Sequence, residues 1–533
     1  MDREVNVDSI RVLEEQTKEH ERSIIKLKRA RNSLLNVSRL PPEVLGEIFC
    51  WNIVFEEPFG GLEEESYNFL LVCRHWYEVA LRTPELWSFW GNNLADWEAR
   101  CLRSSVNIPL DLVLDGLSYM FGSLGDSQRM ALEDRAARDT IRRVHLQSDM
   151  HELLTSIISP LLSLYGGLRT NSLESLILGC EPPGMPLDVS FLARSCLPKL
   201  RHLELSGCMI PSWDHLTSQT TLLTTLDLYP DETSPVPTMS QLLLMLAHNP
   251  HLQKLELNRR AVPDDDDDGK SCRVLLRHLK ELKLEGGIGP VFGLLRRLDR
   301  PRKMDKLSLT LSDCEADDIP QTVGPYLQDH LALRGRPRNG LGVFLSSDRC
   351  IVLLVGDADG FYPSTLRTAS FTSIYLQLDE ALPKDAPDKL TLDLIAHMPR
   401  EEIVHFQTCG SLEVVKDLRV QMPALKTLDL LMVPLYTVFP TQNQDASHVH
   451  ERFPPSLKHL FLERLQLGAY GWLPLLVFLS NRAASGNRLD SVRIDGLCHM
   501  CSKLGRGIRS MVREFEITGE CAESCCPFDA CMM

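Results

Sequence analysis

The chain has 533 residues, 44% hydrophobic and 24% charged, which is enough apolar material for a substantial core. Its formal net charge of -15 opposes nucleic-acid binding, because phosphate repulsion would need a concentrated basic face; the basic run Lys26 to Arg31 sits among acidic neighbours. The N-terminus lacks the apolar centre of a secretion signal and no apolar run nears the roughly eighteen residues that cross a bilayer, so a cytoplasmic and/or nuclear protein with its 16 cysteines reduced is expected.

The first predicted element is a helix over residues 8–36. Ile10, Leu13, Thr17, His20, Ile24, Leu27, Arg31 and Leu34 alternate in steps of three and four, a heptad seam flanked by charged residues. Thr17, His20 and Arg31 interrupt the stripe. A single amphipathic helix, folded back or exposed, is therefore the expectation, with self-association through a coiled coil as the alternative.

The second element is a module over residues 37–90. In RLPPEVLGEIF (Arg39 to Phe49), Pro41 and Pro42 suit the start of a helix, and Glu43 suits the positive end of its dipole. Val44, Leu45, Ile48 and Phe49 then recur at helical spacing. A second helix is expected over NFLLVCRHWYEVALRT, with Phe69, Val72, Cys73, Trp76, Val79 and Ala80 on its apolar face and Pro84 stopping it. Leu86 and Trp87 close a unit of under fifty residues. So small a unit has little interior for these side chains, which leaves apolar surface for a partner.

The three words LPPEVLGEIF, LLVCRHW and RTPELWS, in that order, resemble the F-box pattern. With the heptad helix upstream, the arrangement is similar to the F-box-like proteins of mushroom-forming fungi. The resemblance implies a trihelical module seated in a hydrophobic groove of a Skp-type adaptor, which links it to a cullin and a RING subunit. Carried onto this chain, it makes Leu40, Pro41, Val44, Leu45, Ile48, Phe49, Val72 and Trp76 the candidate contact or supporting residues. Leu40 and Pro41 would anchor the start of the first helix, and Ile48 and Val72 would fill apolar pockets. Trp76, Cys73 and Trp87 are expected to pack inside the module.

Residues 105–520 read as an irregular repeat array. The phrase apolar-x-x-apolar-x-apolar begins at Ile141, Leu173, Leu200, Leu223, Leu252, Leu279 and Met304, at spacings of 32, 27, 23, 29, 27 and 25 residues. It returns at Phe371, Leu425, Leu457, Leu489 and Val512. These spacings fall mostly within the roughly 20–29 residues of leucine-rich repeats. Each phrase is expected to be a short strand whose alternate apolar residues enter a shared core, with helical or irregular returns such as MSQLLLMLAHNP between them. Pro198, Pro250, Pro423 and Pro455 stand just before a phrase and mark the turn into the strand. Cys208, and less directly Cys314, Cys498 and Cys521, follow a phrase where a side chain helps to satisfy turn backbone. Between about 313 and 370 the phrase fades into a divergent insertion.

Three features resemble chemistry without its requirements. Gly269 to Ser271 ends like a phosphate loop, but Asp264 stands where the first glycine should be, in a run of aspartates. The DADG at Asp357 lacks the ligands and closing glutamate of a calcium loop. Cys498, Cys501, Cys521, Cys525, Cys526 and Cys531 approach a zinc ribbon without clear knuckles; a metal-free terminal repeat with a Cys-rich tail at 521–533 is expected.

The predicted fold is α/β: an N-terminal helix and a trihelical module, then a leucine-rich-repeat-type solenoid. The expected function is non-catalytic and needs no cofactor or metal: an F-box substrate receptor of a cullin-RING ubiquitin ligase, binding a Skp-type adaptor and a protein substrate. The alternatives are an F-box/repeat scaffold outside a ligase and a zinc-dependent or hydrolytic enzyme.

Overall fold

In a computed structural model, the structure describes residues 2–54, 68–90, 108–114, 126–148, 151–162, 168, 171–180, 185–214, 216, 222–264, 273–299, 304–314, 318–332, 340–347, 350–356, 371–378, 392–398, 400–409, 418–431, 438–439, 452–463, 472–495 and 502–518. The chain divides into two compact units: Met1–Leu223 with Pro230–Ser234, and Thr224–Tyr229 with Pro235–Met533. Among the described residues, no helix is long and apolar enough to cross a membrane.

The first unit begins with helix α1 (Asp2–Ser33), whose seam is exposed rather than folded back. A 3-10 turn (Asn36–Arg39) leads into α2 (Pro42–Val54). The second predicted helix is broken: α3 (Phe69–Val72) and α4 (Arg74–Arg82) flank Cys73, whose φ of -163° and ψ of 166° are extended. Apolar periodicity continues across this break, so the pattern alone did not reveal it. A 3-10 turn (Pro84–Trp87) closes the module. Strand β1 (Phe89–Trp90), counted with the module by sequence, pairs in parallel with β2 (Leu110–Leu114).

From β2 the sheet runs in chain order through β3 (Ile141–Ser148), β4 (Ser175–Cys180) and β5 (His202–Ser206), all parallel. Leu112, Val144, Leu176 and Leu203 lie in register and are buried, forming one column of the core. The predicted phrases at Ile141, Leu173 and Leu200 supply three of these strands. The phrase search missed β2, because Leu110 and Leu112 are one residue closer than the pattern requires. A register shift between Leu110 and Asp111 absorbs the missing residue.

The turn after β5 fits the expectation for Cys208. Its buried Sγ lies 3.5 Å from the carbonyls of Leu178 and Ser206, and its own carbonyl accepts from Asp231 N at 2.9 Å. Burial pushes this thiol above its ordinary range. Gly207 beside it has φ +60°, and a Cβ there would stand 1.9 Å from the Cys180 carbonyl oxygen. Both the left-handed backbone and the close approach require glycine.

The second unit carries two parallel runs. The first is β6 (Thr225–Tyr229), β7 (Lys254–Leu257), β8 (Glu281–Gly287) and β9 (Lys306–Cys314). The second is β13 (His405–Cys409), β14 (Thr427–Leu431), β15 (His459–Glu463), β16 (Ser491–Asp495) and β17 (Glu514–Thr518). Returns between strands include helices Met239–His248, capped reciprocally by Thr238 and Gln241, and Leu473–Ala484.

The prolines act as expected. In Asn249-Pro-His-Leu252, Met422-Pro-Ala-Leu425 and Pro454-Pro-Ser-Leu457, the first carbonyl accepts from the fourth N–H at 3.1–3.2 Å. Proline thus fills the second position of a β-turn whose φ it pre-sets. Pro198 does the same between Leu197 and Leu200 in the first unit. A second device then fixes register. The carbonyls of Glu174, Thr224, Gln253, Lys280, Val404, Lys426 and Lys458 each accept two successive N–H groups from the next repeat, at 2.7–3.1 Å.

The divergent stretch departs from the simple array. β10 (Gly340–Ser347), β11 (Cys350–Gly356) and β12 (Phe371–Leu378) form an antiparallel meander between the two runs. β12 pairs with β9 and β10 with β13, both in parallel, so the three strands are laid down in reverse of chain order. Two residues separate β10 from β11, too few for the return that a parallel neighbour needs. The phrase at Phe371 does become a strand, but Ile374 rather than Leu376 stands opposite Leu309, a slip of two residues from the predicted register.

The aspartate-rich GKS segment, the DADG turn and the cysteines at 498, 501 and 521–531 lie outside the described residues.

Candidate protein-docking surfaces

Helix α2 starts where Pro41 O accepts from Leu45 N at 3.0 Å, with Glu43 in its first turn. Its sequence is apolar on more than one side, so the packing of α3, α4 and the closing 3-10 turn decides which residues turn inward. Leu45 and Phe49 do, joining Phe69, Val79, Ala80, Leu86 and Trp87 in one core cluster. Phe49 stacks on Phe69 with ring centres 4.4 Å apart and meets Trp76 at 5.2 Å. The Trp87 indole donates to Ala80 O at 2.8 Å, which satisfies its N–H in the apolar interior. Gly46 lets α2 approach Thr83 closely: a Cβ there would lie 2.7 Å from Thr83 Oγ1.

This filled interior leaves other apolar side chains outside. Val44, Ile48 and Trp51 form a stripe at i, i+4, i+7 along α2, with exposures of 40, 47 and 62%. At the end of α3, Leu71 and Val72 are 84 and 55% exposed. The candidate residues therefore separate by role. Val44, Ile48 and Val72 face outward, and Pro41 is exposed at the helix start. Leu45 and Phe49 are buried supports, while Leu40 and Trp76 are half-buried against the same core. Sequence reasoning missed Trp51 and Leu71. The signal for Trp51 was present, since it continues the Val44–Ile48 spacing by one more turn. Burial, then the carboxylates of Glu85 and Glu47, pushes the Cys50 thiol up, away from a nucleophile's needs.

A second surface lies on the strand face opposite the core in the first run of the second unit. Lys254 Nζ bridges Asp227 at 2.9 Å and Glu256 at 3.0 Å, and Lys283 Nζ reaches Glu256 at 3.3 Å. The Tyr229 hydroxyl donates to Glu256 and accepts from Lys283 Nζ at 3.0 Å. Burial alone would raise the Glu256 carboxyl, but the Tyr229 hydroxyl and the Lys254 ammonium outweigh it and hold it below the ordinary range. Burial raises the Tyr229 hydroxyl, and the Glu256 carboxylate adds to the effect. The network is polar, partly exposed and internally matched.

The second run differs on the same face. His405, Gln407 and Asp429 are buried, and His405 Nε2 lies 3.0 Å from Asp429 Oδ2. Arg482, also buried, donates to the carbonyls of Asn487, Pro454 and Leu457 at 3.0–3.3 Å, and burial lowers its guanidinium to about 10. A cavity lined by Val189, Leu192, Ile210 and Leu216 has a volume of about 10 Å³. It is water-sized and has no room for a small-molecule substrate.

No family model and no curated protein matches the chain. Among solved structures, it is similar to the leucine-rich repeat-containing protein LegL7 from Legionella pneumophila, at 12% identity and a TM-score of 0.29, over 58% of this chain and 89% of that one. The likeness is loose. The α/β repeat description rests on the strand registers themselves.

Proposed function

We propose that the chain is an F-box protein, the substrate receptor of a cullin-RING ubiquitin ligase. The observation that carries this reading is the outward apolar set of Val44, Ile48, Trp51, Leu71 and Val72 on a module whose own core is already filled. Apolar side chains left this exposed on a module with a filled core suit the hydrophobic groove of a Skp-type adaptor. The LPPEVLGEIF, LLVCRHW and RTPELWS words support the same assignment. Leu45, Phe49 and Trp76 would shape the module, with Leu40 and Pro41 setting the start of α2 against the adaptor.

The repeat array would hold a protein client on its strand face, where the Asp227–Lys254–Glu256–Lys283 ladder offers alternating charge. Catalysis would belong to a ubiquitin-conjugating enzyme elsewhere in the assembly, the chain contributing proximity alone. Pulldown with a purified Skp-type adaptor tests the docking end. The full chain should be retained, and a chain with Leu40, Pro41 and Ile48 changed together to serine should not. Retention of that variant would refute the reading. Loss of ubiquitination of a captured client on deletion of residues 39–87 would place the chain within a ligase rather than in a separate scaffold.

A further inference from the structure

Helix α1 is about 48 Å long at 1.5 Å per residue, and every side chain from Ile10 to Arg31 is exposed. Its apolar seam residues Ile10, Leu13, Ile24, Leu27 and Leu34 are between 51 and 73% exposed. At the centre of the seam, the Thr17 hydroxyl already donates to Leu13 O at 2.8 Å. Thr17 can therefore enter an interface without stranding a donor. The charges are divided along the helix. From Asp2 to Arg22 seven acids stand against four bases, whereas from Ser23 to Ser33 there are four bases and no acid.

We propose that α1 pairs with α1 of a second copy of this chain, in an antiparallel two-helix coil. The seam has polar Thr17 and His20 at its middle and an apolar pair on each side. Antiparallel pairing sets Ile10 and Leu13 against Leu27 and Ile24 of the second copy, and Thr17 against His20. Parallel pairing would match these four apolar residues equally well, so charge decides the direction. In parallel the acidic halves would lie together and the basic halves together; antiparallel places residues 4–14, with three acids and one base, along the four bases of residues 23–33. The register also brings Glu14 beside Glu21 of the second copy, so the attraction acts between the halves as blocks. It should weaken with salt, because the Debye length at physiological ionic strength is about 8 Å.

The test is sedimentation of the purified full chain over a concentration series. A reversible monomer–dimer equilibrium is expected. Leu13→Ala with Ile24→Ala should give monomer while helicity by circular dichroism persists, since alanine is the strongest helix former. Changing Lys26, Lys28, Arg29 and Arg31 to Glu should weaken association at least about tenfold. Adding Glu4→Lys, Asp8→Lys and Glu14→Lys, the acids that this register sets along the stretch 23–33, should restore it. A wild-type chain monomeric at every concentration overturns the proposal, as does a dimer that survives the alanine pair. Indifference to reversal of the basic block overturns it too, because parallel pairing predicts that result. The adaptor reading is untouched by any of these outcomes, as the changed residues lie outside 40–76.

Discussion

The trihelical module and the first parallel run of the repeat array handle exposed surface in opposite ways. The module keeps its polar requirements inside, with the Trp87 indole bonded to Ala80 O, and leaves Ile48, Trp51 and Leu71 in solvent. The run keeps leucines inside and places on its open face a network in which Lys254, Lys283 and Tyr229 answer Asp227 and Glu256. An apolar patch gains free energy from any complementary groove, whereas a matched charge network must first be opened by a partner. Under the proposed function, the first surface would serve one constant partner and the second a client chosen by its charges.

Each half of that contrast can be attacked by mutation. The largest effect should come from Trp87→Ala, which empties the module's core and removes one of two donors to the Ala80 carbonyl; a loss of about 3–5 kcal/mol is expected from denaturant unfolding. If the module survives with its midpoint unchanged, the division into buried support and exposed surface is wrong. Gly207→Val comes next. It forces a Cβ onto the Cys180 carbonyl in a left-handed backbone, and should cost about 2–3 kcal/mol in the same assay, more than Gly486→Val, where nothing lies within 4 Å.

The sharper comparison is on the module's outside. Ile48→Ser with Leu71→Ser should leave unfolding within about 0.5 kcal/mol of wild type. Adaptor affinity by calorimetry should fall by about 2 kcal/mol or more. Equal losses of stability and affinity would mean that these residues support the module rather than dock it.

The smallest effect concerns the ladder. Because the folded state holds Glu256 below its ordinary 4.5, its contribution is complete above that value and is lost as pH falls through the lower folded-state value. Glu256→Gln should therefore lower stability at neutral pH by under about 1 kcal/mol and flatten the acid limb of the stability curve. An unchanged acid limb, measured by urea midpoints across pH, would remove Glu256 from the ladder.

Much of this fold was legible in the sequence, for a local reason. A phrase of fixed spacing gives the same alternation to every strand, and a proline at the second turn position starts several of them, so most array strands could be placed without seeing their neighbours. β13 escaped because Thr408, fully buried, fills a position where the phrase asks for an apolar residue. β2 escaped because its spacing is one residue short.

What the tertiary structure decided is of another kind. The stretch holding GLGVFLSS and CIVLLVG read only as a divergent insertion; pairing showed that β10–β12 run in reverse order between two parallel runs. The periodicity of α2 announced an apolar helix, but Leu45 and Val44 are equally apolar and adjacent. Which of them is buried depends on where α3, α4 and the 3-10 turn come to rest. Sequence sets the period and chemistry of an element, whereas the covering of one face and the freedom of another come from neighbours distant in the chain.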